Sequence, residues 1–267
     1  SNLTTAQFNA LGLVPTGVDP NVNSFRQDEF TVGVDRELSK NYVLSARFTR
    51  KNVAHALEDH AILGLNEAEN YPIGNPCEGL DKQLDTATGY VKSACPQRLY
   101  RALEIVLNKR LSNSFFFNAN YTLSSLYGNY SGLASSDESG RTSPNVDRFF
   151  DYIINGFTAL GQPDNGNLAT DRRHAFKAYG GYVFNKWKDK KQETNVSFFY
   201  QALQGTPQTT FISVVATSIP LSKRGDLGRS PAFTQTDMSI SHRYRFGKDE
   251  RYLAQFDFNV INLFNQN

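Results

Sequence analysis

A sustained two-residue periodicity in residues 98–130 constrains the fold of this chain more than any other sequence feature. After a polar break at residues 109–113 the alternation restarts, and its apolar positions include Leu103, Ile105, Leu107, Phe115 and Phe117. Because successive side chains of a strand point to opposite faces, the pattern predicts two strands that are each oily on one face and polar on the other. Each strand runs to about ten residues, close to what a tilted strand needs to cross a bilayer.

Two kinds of protein use such a hairpin. A soluble antiparallel sheet can pack one face on a core and leave the other in water. An outer-membrane barrel repeats long strands whose side chains alternate between lipid and lumen. The hairpin alone does not separate these two alternatives.

The same period marks six further segments, and the order of their connections favours the barrel. The further strands are predicted at residues 27–38, 42–54, 173–185, 194–203, 234–246 and 252–260. Short turns follow the first, third, fifth and seventh strands, whereas long polar segments at residues 55–97, 125–172 and 204–232 follow the second, fourth and sixth. Outer-membrane barrels have tight turns on one rim and long loops on the other, whereas structureless loops this long are uncommon in compact soluble domains.

Aromatic side chains cluster near the predicted tight turns, where a barrel carries its interfacial girdle. They are Tyr42, Phe115, Phe184, Phe246 and Tyr252. Ordinary packing within a soluble sheet is the alternative explanation for them.

Composition excludes two other classes. The 267 residues carry a net charge of +2 and a mean hydropathy of −0.47. No stretch approaches the roughly eighteen apolar residues of a transmembrane helix, so a helical membrane protein is excluded. A barrel remains compatible because only alternate residues meet lipid. The near-neutral charge argues against a nucleic-acid partner.

We therefore predict an all-β fold, an antiparallel up-and-down transmembrane β-barrel with long external loops and short periplasmic turns. The lumen is predicted to be lined by Glu29, Asp35, Arg47, Glu104, Asn118, Asn120, Lys177, Gln201, Asp237, Arg243, Gln255 and Asp257. Lipid is predicted to contact Leu103, Ile105, Leu107, Phe115, Phe117, Phe198, Ile240, Phe256 and Phe258. Side chains would have to fill a closed eight-stranded barrel, and this inward set is too charged to do so. We therefore expect these eight strands to be an arc of a larger barrel.

Candidate chemistry is sparse. The histidines His55, His60, His174 and His242 lack the spacing of a zinc site, and no phosphate cradle or nucleophile elbow is present. We expect no catalytic residue, no metal and no cofactor. His174 begins the fifth strand, where we expect its hydrogen bonds to anchor a loop to the rim.

The two cysteines, Cys77 and Cys95, fall in one long segment. In a loop facing an oxidising exterior they are predicted to form a disulfide, contributing about 3 kcal/mol in the chain-entropy model. Two free thiols are the alternative.

One acidic loop raises the question of calcium. Its acidic residues are Asp137, Glu138, Asp147, Asp151 and Asp164. They lack the regular ligand spacing of a calcium loop, so we favour ion pairs with Arg141, Arg148 and Arg172.

Three segments carry a resemblance to a known family. They are YRALEIVLNKRLSNSFFFNANYTLSSLYGNYSGLASSDESGRTSPNVDRFFD, LATDRRHAFKAYGGYVF and FDFNVINLFNQ. From about residue 35 to residue 267 the chain resembles the C-terminal half of the barrel of TonB-dependent outer-membrane receptors, and most closely their Oar-like branch. The resemblance implies a barrel of about twenty-two strands, an N-terminal plug and a segment that binds the TonB complex.

Residues 1–267 are accordingly expected to be part of one outer-membrane barrel domain. The plug, the N-terminal strands and the last strand, which normally follows the motif at Asn262 to Asn265, are expected to lie outside this sequence. The start at Ser1 has neither a basic region nor an apolar run, so we expect a mature protein or a fragment.

The function expected from these features is transport of an unknown ligand across the outer membrane of a bacterium. External loops would capture the ligand, and a plug energised through TonB would let it pass along the polar lumen. A non-transporting barrel that anchors an adhesion or assembly module is the main alternative. A secreted soluble β enzyme is a third, for which the sequence offers no catalytic set.

Overall fold

The computed structural model describes residues 17–59, 62–63, 69–70, 73–78, 94–130, 154–184, 191–214 and 217–266. In chain order the strands are β1 (Arg26–Ser39), β2 (Tyr42–His55), β3 (Glu58–Asp59), β4 (Ile62–Leu63), β5 (Glu69–Asn70), β6 (Ile73–Gly74), β7 (Arg98–Ser112), β8 (Phe115–Gly128), β9 (Gly166–Asn167), β10 (His174–Phe184), β11 (Gln192–Leu203), β12 (Phe211–Val214), β13 (Thr217–Pro220), β14 (Phe233–Phe246) and β15 (Tyr252–Val260). One 3-10 turn, Lys248–Glu250, precedes β15. No described helix is long and apolar enough to span a membrane.

The eight long strands form one antiparallel sheet in the order β1-β2-β7-β8-β10-β11-β14-β15. Each pairs with its neighbour in sequence order, and β9 adds a short pairing to the end of β8. This is the predicted up-and-down arrangement, with β1 and β15 as the open edges of the described sheet. Apart from the turn end of β7 and the loop end of β8, which each extend four residues beyond the predicted bounds, the predicted strand ends agree with the structure to within two residues.

The central hairpin is longer than the sequence pattern predicted. The polar break proposed at residues 109–113 is wrong, because β7 continues to Ser112 through a register shift. Only Asn113 and Ser114 form the turn, with φ of 51° and 70°. Positive φ at both central residues is the signature of a type I′ turn, whose twist matches that of the flanking strands.

Lys109 explains why the pattern was misread. It lies on the apolar face beside its cross-strand partners Tyr42 and Phe117. Its ammonium group turns back and donates to the carbonyl oxygens of Ser112 at 2.9 Å and Phe115 at 2.7 Å. The aliphatic stem is therefore buried against the rim while the charge is satisfied by the turn. Lys109 interrupts the apolar pattern of the sequence, but in the structure it occupies a regular position on the apolar face of β7.

The apolar face of the sheet is open. Leu103 and Ile105 remain 40% and 39% exposed, and Phe256 is 69% exposed. A second sheet packed on this face would have buried them, and none of the described strands does so. The described residues therefore form no two-layer sheet of the soluble kind.

The aromatic residues predicted to form a girdle lie at the short-turn end of this apolar face. Phe246 packs on Tyr252 with ring centroids 5.6 Å apart, and Phe184 packs on Tyr182 at 4.6 Å. Tyr42 contacts Phe117 edge to face at 6.2 Å. Their position fits an interfacial belt.

Candidate functional site

The polar face of the sheet brings together all of the residues predicted to line the lumen. Cross-strand partners share a face, and the pairs Arg47 with Glu104 and Lys177 with Gln201 illustrate the register. Following the pairings from β1 to β15 places all twelve predicted lumen residues on this face and all nine predicted lipid residues on the other. Which solvent each face meets remains a prediction.

Hydrogen bonds and ion pairs tie the polar face together across strands. Asn120 donates to the carboxylate of Glu104 on the neighbouring strand. Arg243 Nε donates to Gln255 Oε1 at 3.1 Å. Lys51 Nζ lies 3.0 Å from Glu29 Oε2. Because both acidic and basic groups occur on this face, it is polar without being strongly of one sign.

A cavity of about 580 Å³ opens on this face near the long-loop end of the sheet. It combines charged, amide and aromatic side chains, among them Tyr100, Glu104, Asn120, Arg172, Lys177 and Tyr179. Such a wall can hydrogen-bond a polar ligand and stack against its rings or apolar faces. The sequence predicted Glu104, Asn118, Asn120 and Lys177 for this wall but did not indicate that Tyr100 and Arg172 join them.

A layer of loop residues, here called the loop cap (residues 154–173, 204–214 and 217–232), covers the long-loop end of the sheet. Asp171 is its central link, with a side chain 1% exposed. One carboxylate oxygen accepts the backbone N–H of Leu126 in β8 at 2.6 Å, and the other pairs with the Arg229 guanidinium. Arg229 also donates to the backbone oxygens of Asp171 at 3.0 Å and Gly205 at 3.1 Å. This link joins both parts of the loop cap to the sheet.

A second buried ion pair lies within the loop cap. Arg224 Nη2 is 2.9 Å from Asp164 Oδ2, and both side chains are almost fully buried. Burial raises the pKa of the Asp164 carboxyl above its usual range, and the nearby Arg224 guanidinium opposes that rise. The pair joins the segment before β10 to the segment after β13.

These contacts correct the predicted loop ion pairs where they can be compared. Asp164 pairs with Arg224 and not with Arg172, whose guanidinium donates to the Gln204 carbonyl oxygen at 2.8 Å. The remaining predicted members, Asp137, Glu138, Asp147, Asp151, Arg141 and Arg148, lie outside the described residues. Sixty residues separate Asp164 from Arg224, so no local pattern could have paired them.

The histidines make local contacts. His174 bonds through Nδ1 to the Tyr121 hydroxyl at 2.7 Å, within the sheet. Its backbone oxygen accepts the N–H of Gln204, the first residue after β11, at 2.8 Å. His55 Nδ1 lies 3.0 Å from Glu78, and His242 Nδ1 lies 2.9 Å from the Thr194 hydroxyl. His60 lies outside the described residues. Within the described ranges, no three His, Cys, Asp or Glu side chains are grouped to hold a metal ion.

Cys77 and Cys95 form the predicted disulfide. Beside it, Val53, Ala56, Ala94 and the fully buried Tyr130 form a small apolar cluster. The disulfide therefore fastens the loop after β2 next to the ends of β2 and β8.

Reducing this disulfide should loosen the loop and leave the sheet folded. The link removes chain entropy from the opened loop, and its loss should lower local stability by up to about 3 kcal/mol. Limited proteolysis of the full-length protein, with and without reductant, should show new cleavage between residues 56 and 97. The Cys77→Ser/Cys95→Ser variant should be cleaved equally in both conditions. Unchanged cleavage of the wild-type protein on reduction would contradict the prediction.

Comparison with known proteins identifies the family. A model of the outer membrane beta barrel domain matches residues 1–224. The chain belongs to this outer-membrane β-barrel family. The sequence of the chain is also 31% identical over 256 residues to the TonB-dependent transporter Oar of Myxococcus xanthus. That alignment covers 94% of this chain and 22% of the relative, so the chain spans about a fifth of that protein's length.

The family and the relative together place this barrel in the bacterial outer membrane. The relative confirms the resemblance to the Oar-like branch of TonB-dependent receptors that the sequence motifs indicated. No solved structure matches the chain.

Proposed function

We propose that this chain forms part of the wall of an outer-membrane transporter that moves a polar ligand into or out of the cell. The observation that carries the proposal is the continuous polar face with its cavity near the loop cap. The similarity to a TonB-dependent transporter supports the same conclusion. Strands outside this sequence would pair with the edges of β1 and β15 to complete the barrel.

The two faces of the sheet have different roles in this proposal. The apolar face contacts outer-membrane lipid, while the polar face keeps the lumen hydrated. At the cavity, Lys177 and Arg172 can bind anionic groups, Glu104 can bind cationic ones, and Tyr100 and Tyr179 offer ring surfaces. We propose that energy reaches this wall through a TonB-binding segment and a plug outside this sequence. The chain's own part is to bind and guide the ligand without chemical change.

The test is energy-dependent depletion of compounds from a growth medium. Cells with and without the gene would be grown in yeast-extract medium, and its components would be followed by mass spectrometry before and after a protonophore collapses the inner-membrane potential. Transport predicts at least one compound whose movement requires both the gene and the potential. If no compound does so, the transport proposal is wrong. Altered surface attachment without such a compound would favour the anchor alternative.

A cavity variant connects transport to this chain. Lys177→Ala removes a positive charge from the cavity wall. Loss of its proposed contact with the ligand should slow movement of the identified compound by about tenfold. Thr31→Ala, on the polar face of β1 outside the cavity, should leave the rate unchanged. Equal rates in both variants, with equal amounts of folded barrel in the outer membrane, would exclude the cavity as the binding site.

A further inference from the structure

Two arginines face each other on the apolar side of the sheet. Arg50 in β2 and Arg101 in β7 are direct cross-strand partners, and both are exposed. The next pair on the same face, toward the short turns, is Phe48 with Leu103, which belongs to the apolar band. The guanidinium groups therefore lie at the upper boundary of that band, on its outward side.

The depth of this pair matches a membrane interface. Arg50 lies eight residues along β2 from Tyr42 at the short-turn end. At about 3.3 Å per residue and a tilt of about 40°, that distance is about 20 Å along the membrane normal. The outward apolar band of such barrels is about 25 Å tall. The backbone of the pair therefore lies about 5 Å inside the long-loop edge of that band. From there the long arginine side chains extend to the level of the lipid headgroups.

The arrangement is unfavourable unless an anion joins it. Cross-strand partners have Cβ atoms about 5 Å apart, and like charges directly opposite destabilise a sheet. Among the described residues, neither Arg50 nor Arg101 has a carboxylate partner. The nearby Asp28 is already held by Arg26, with Nε to Oδ1 at 2.8 Å and Nη2 to Oδ2 at 3.0 Å. Two guanidinium groups therefore face outward with their charge uncompensated.

We propose that Arg50 and Arg101 together bind a phosphate group of an outer-leaflet glycolipid. Guanidinium forks match phosphate oxygens in bidentate geometry, and two of them can share one phosphate. The apolar side chains of Phe48 and Leu103 directly below would contact the acyl chains of the same lipid. The inference rests on the assignment of faces and of the outer rim in the proposed function, but it does not require transport.

The test is lipid binding by the purified full-length protein in detergent. Diphosphorylated lipid A, lipid A without phosphates and inorganic phosphate would each be titrated, with binding followed by native mass spectrometry and by thermal unfolding. Wild type should bind diphosphorylated lipid A at least tenfold more tightly than the Arg50→Gln/Arg101→Gln variant. Phosphate-free lipid A should bind both proteins equally weakly.

A control variant and a comparison of thermal stability with and without lipid distinguish loss of lipid binding from loss of folding. Arg36→Gln, on the same face near the short turns, should bind diphosphorylated lipid A like wild type. Without lipid, the double variant should unfold at the same or a higher temperature than wild type, because a like-charge contact is gone. With lipid, only wild type and Arg36→Gln should gain stability.

Three results would overturn the proposal. They are equal binding of diphosphorylated lipid A by wild type and the double variant, binding of phosphate-free lipid A to wild type as tight as that of diphosphorylated lipid A, or binding of inorganic phosphate as tight as that of the lipid. Measuring uptake in the same variants distinguishes this inference from the proposed function. Loss of lipid binding with normal uptake, or the reverse, shows that the two are independent.

Discussion

Replacing Ile105 by arginine should lower the stability of the folded barrel in a bilayer by about 2 to 4 kcal/mol. Ile105 lies in the middle of the apolar band, between its cross-strand partners Ala46 and Tyr121. It is 39% exposed on the open face, so lipid would have to solvate the new charge. The measurement is the urea dependence of unfolding of the full-length protein in phospholipid vesicles.

Val106→Arg is the matched control for this experiment. It introduces the same side chain one residue further along β7, on the polar face beside Asn120. Because water can solvate an arginine there, the change should cost less than about 1 kcal/mol. Phe117→Arg and Asn118→Arg form a second pair, in which Phe117 should be the more sensitive. Equal losses within either pair would contradict the assignment of the two faces.

Replacing Asp171 by alanine should destabilise the loop cap by about 3 to 5 kcal/mol. Removing one partner of a buried ion pair leaves the other charge uncompensated. Here Arg229 loses its carboxylate, and the Leu126 N–H loses its acceptor. Hydrogen exchange of the full-length protein should show faster exchange in residues 154–172 and 204–232, whereas the centre of the sheet should stay protected.

An exposed ion pair provides the comparison. Glu29 and Lys51 are paired at 3.0 Å with side chains 47% and 38% exposed, so Glu29→Gln should cost at most about 1 kcal/mol. The Asp171→Ala/Arg229→Ala double variant should lose less than the sum of the single changes, because both remove the same contact. Full additivity, or an effect of Asp171→Ala no larger than that of Glu29→Gln, would contradict the role given to this link.

The strands and their two faces were predictable because the two-residue period is a local property. Every long strand was predicted, and the most informative error concerned Lys109. A charged residue on the apolar face looks like a break when only residue types are read. The turn carbonyl oxygens that accept its hydrogen bonds become visible only in three dimensions.

The loop cap was not predictable for a different reason. Its links join residues far apart in sequence, such as Asp164 with Arg224 and Asp171 with Arg229. Irregular backbone carries no period, and each acidic side chain had several basic residues within reach. The sequence motif around Asp171 and His174 drew attention to the right place, but it did not indicate that the buried Asp171 side chain is the main link there.

The alternation of short and long connections also sets an order of assembly. Closing the two-residue turn at Asn113 and Ser114 fixes far fewer chain conformations than closing residues 56–97, which form a segment roughly twentyfold longer. The difference in closure entropy is about 2 to 3 kcal/mol. We therefore expect hairpins such as β7 with β8 to form before neighbouring hairpins dock against them.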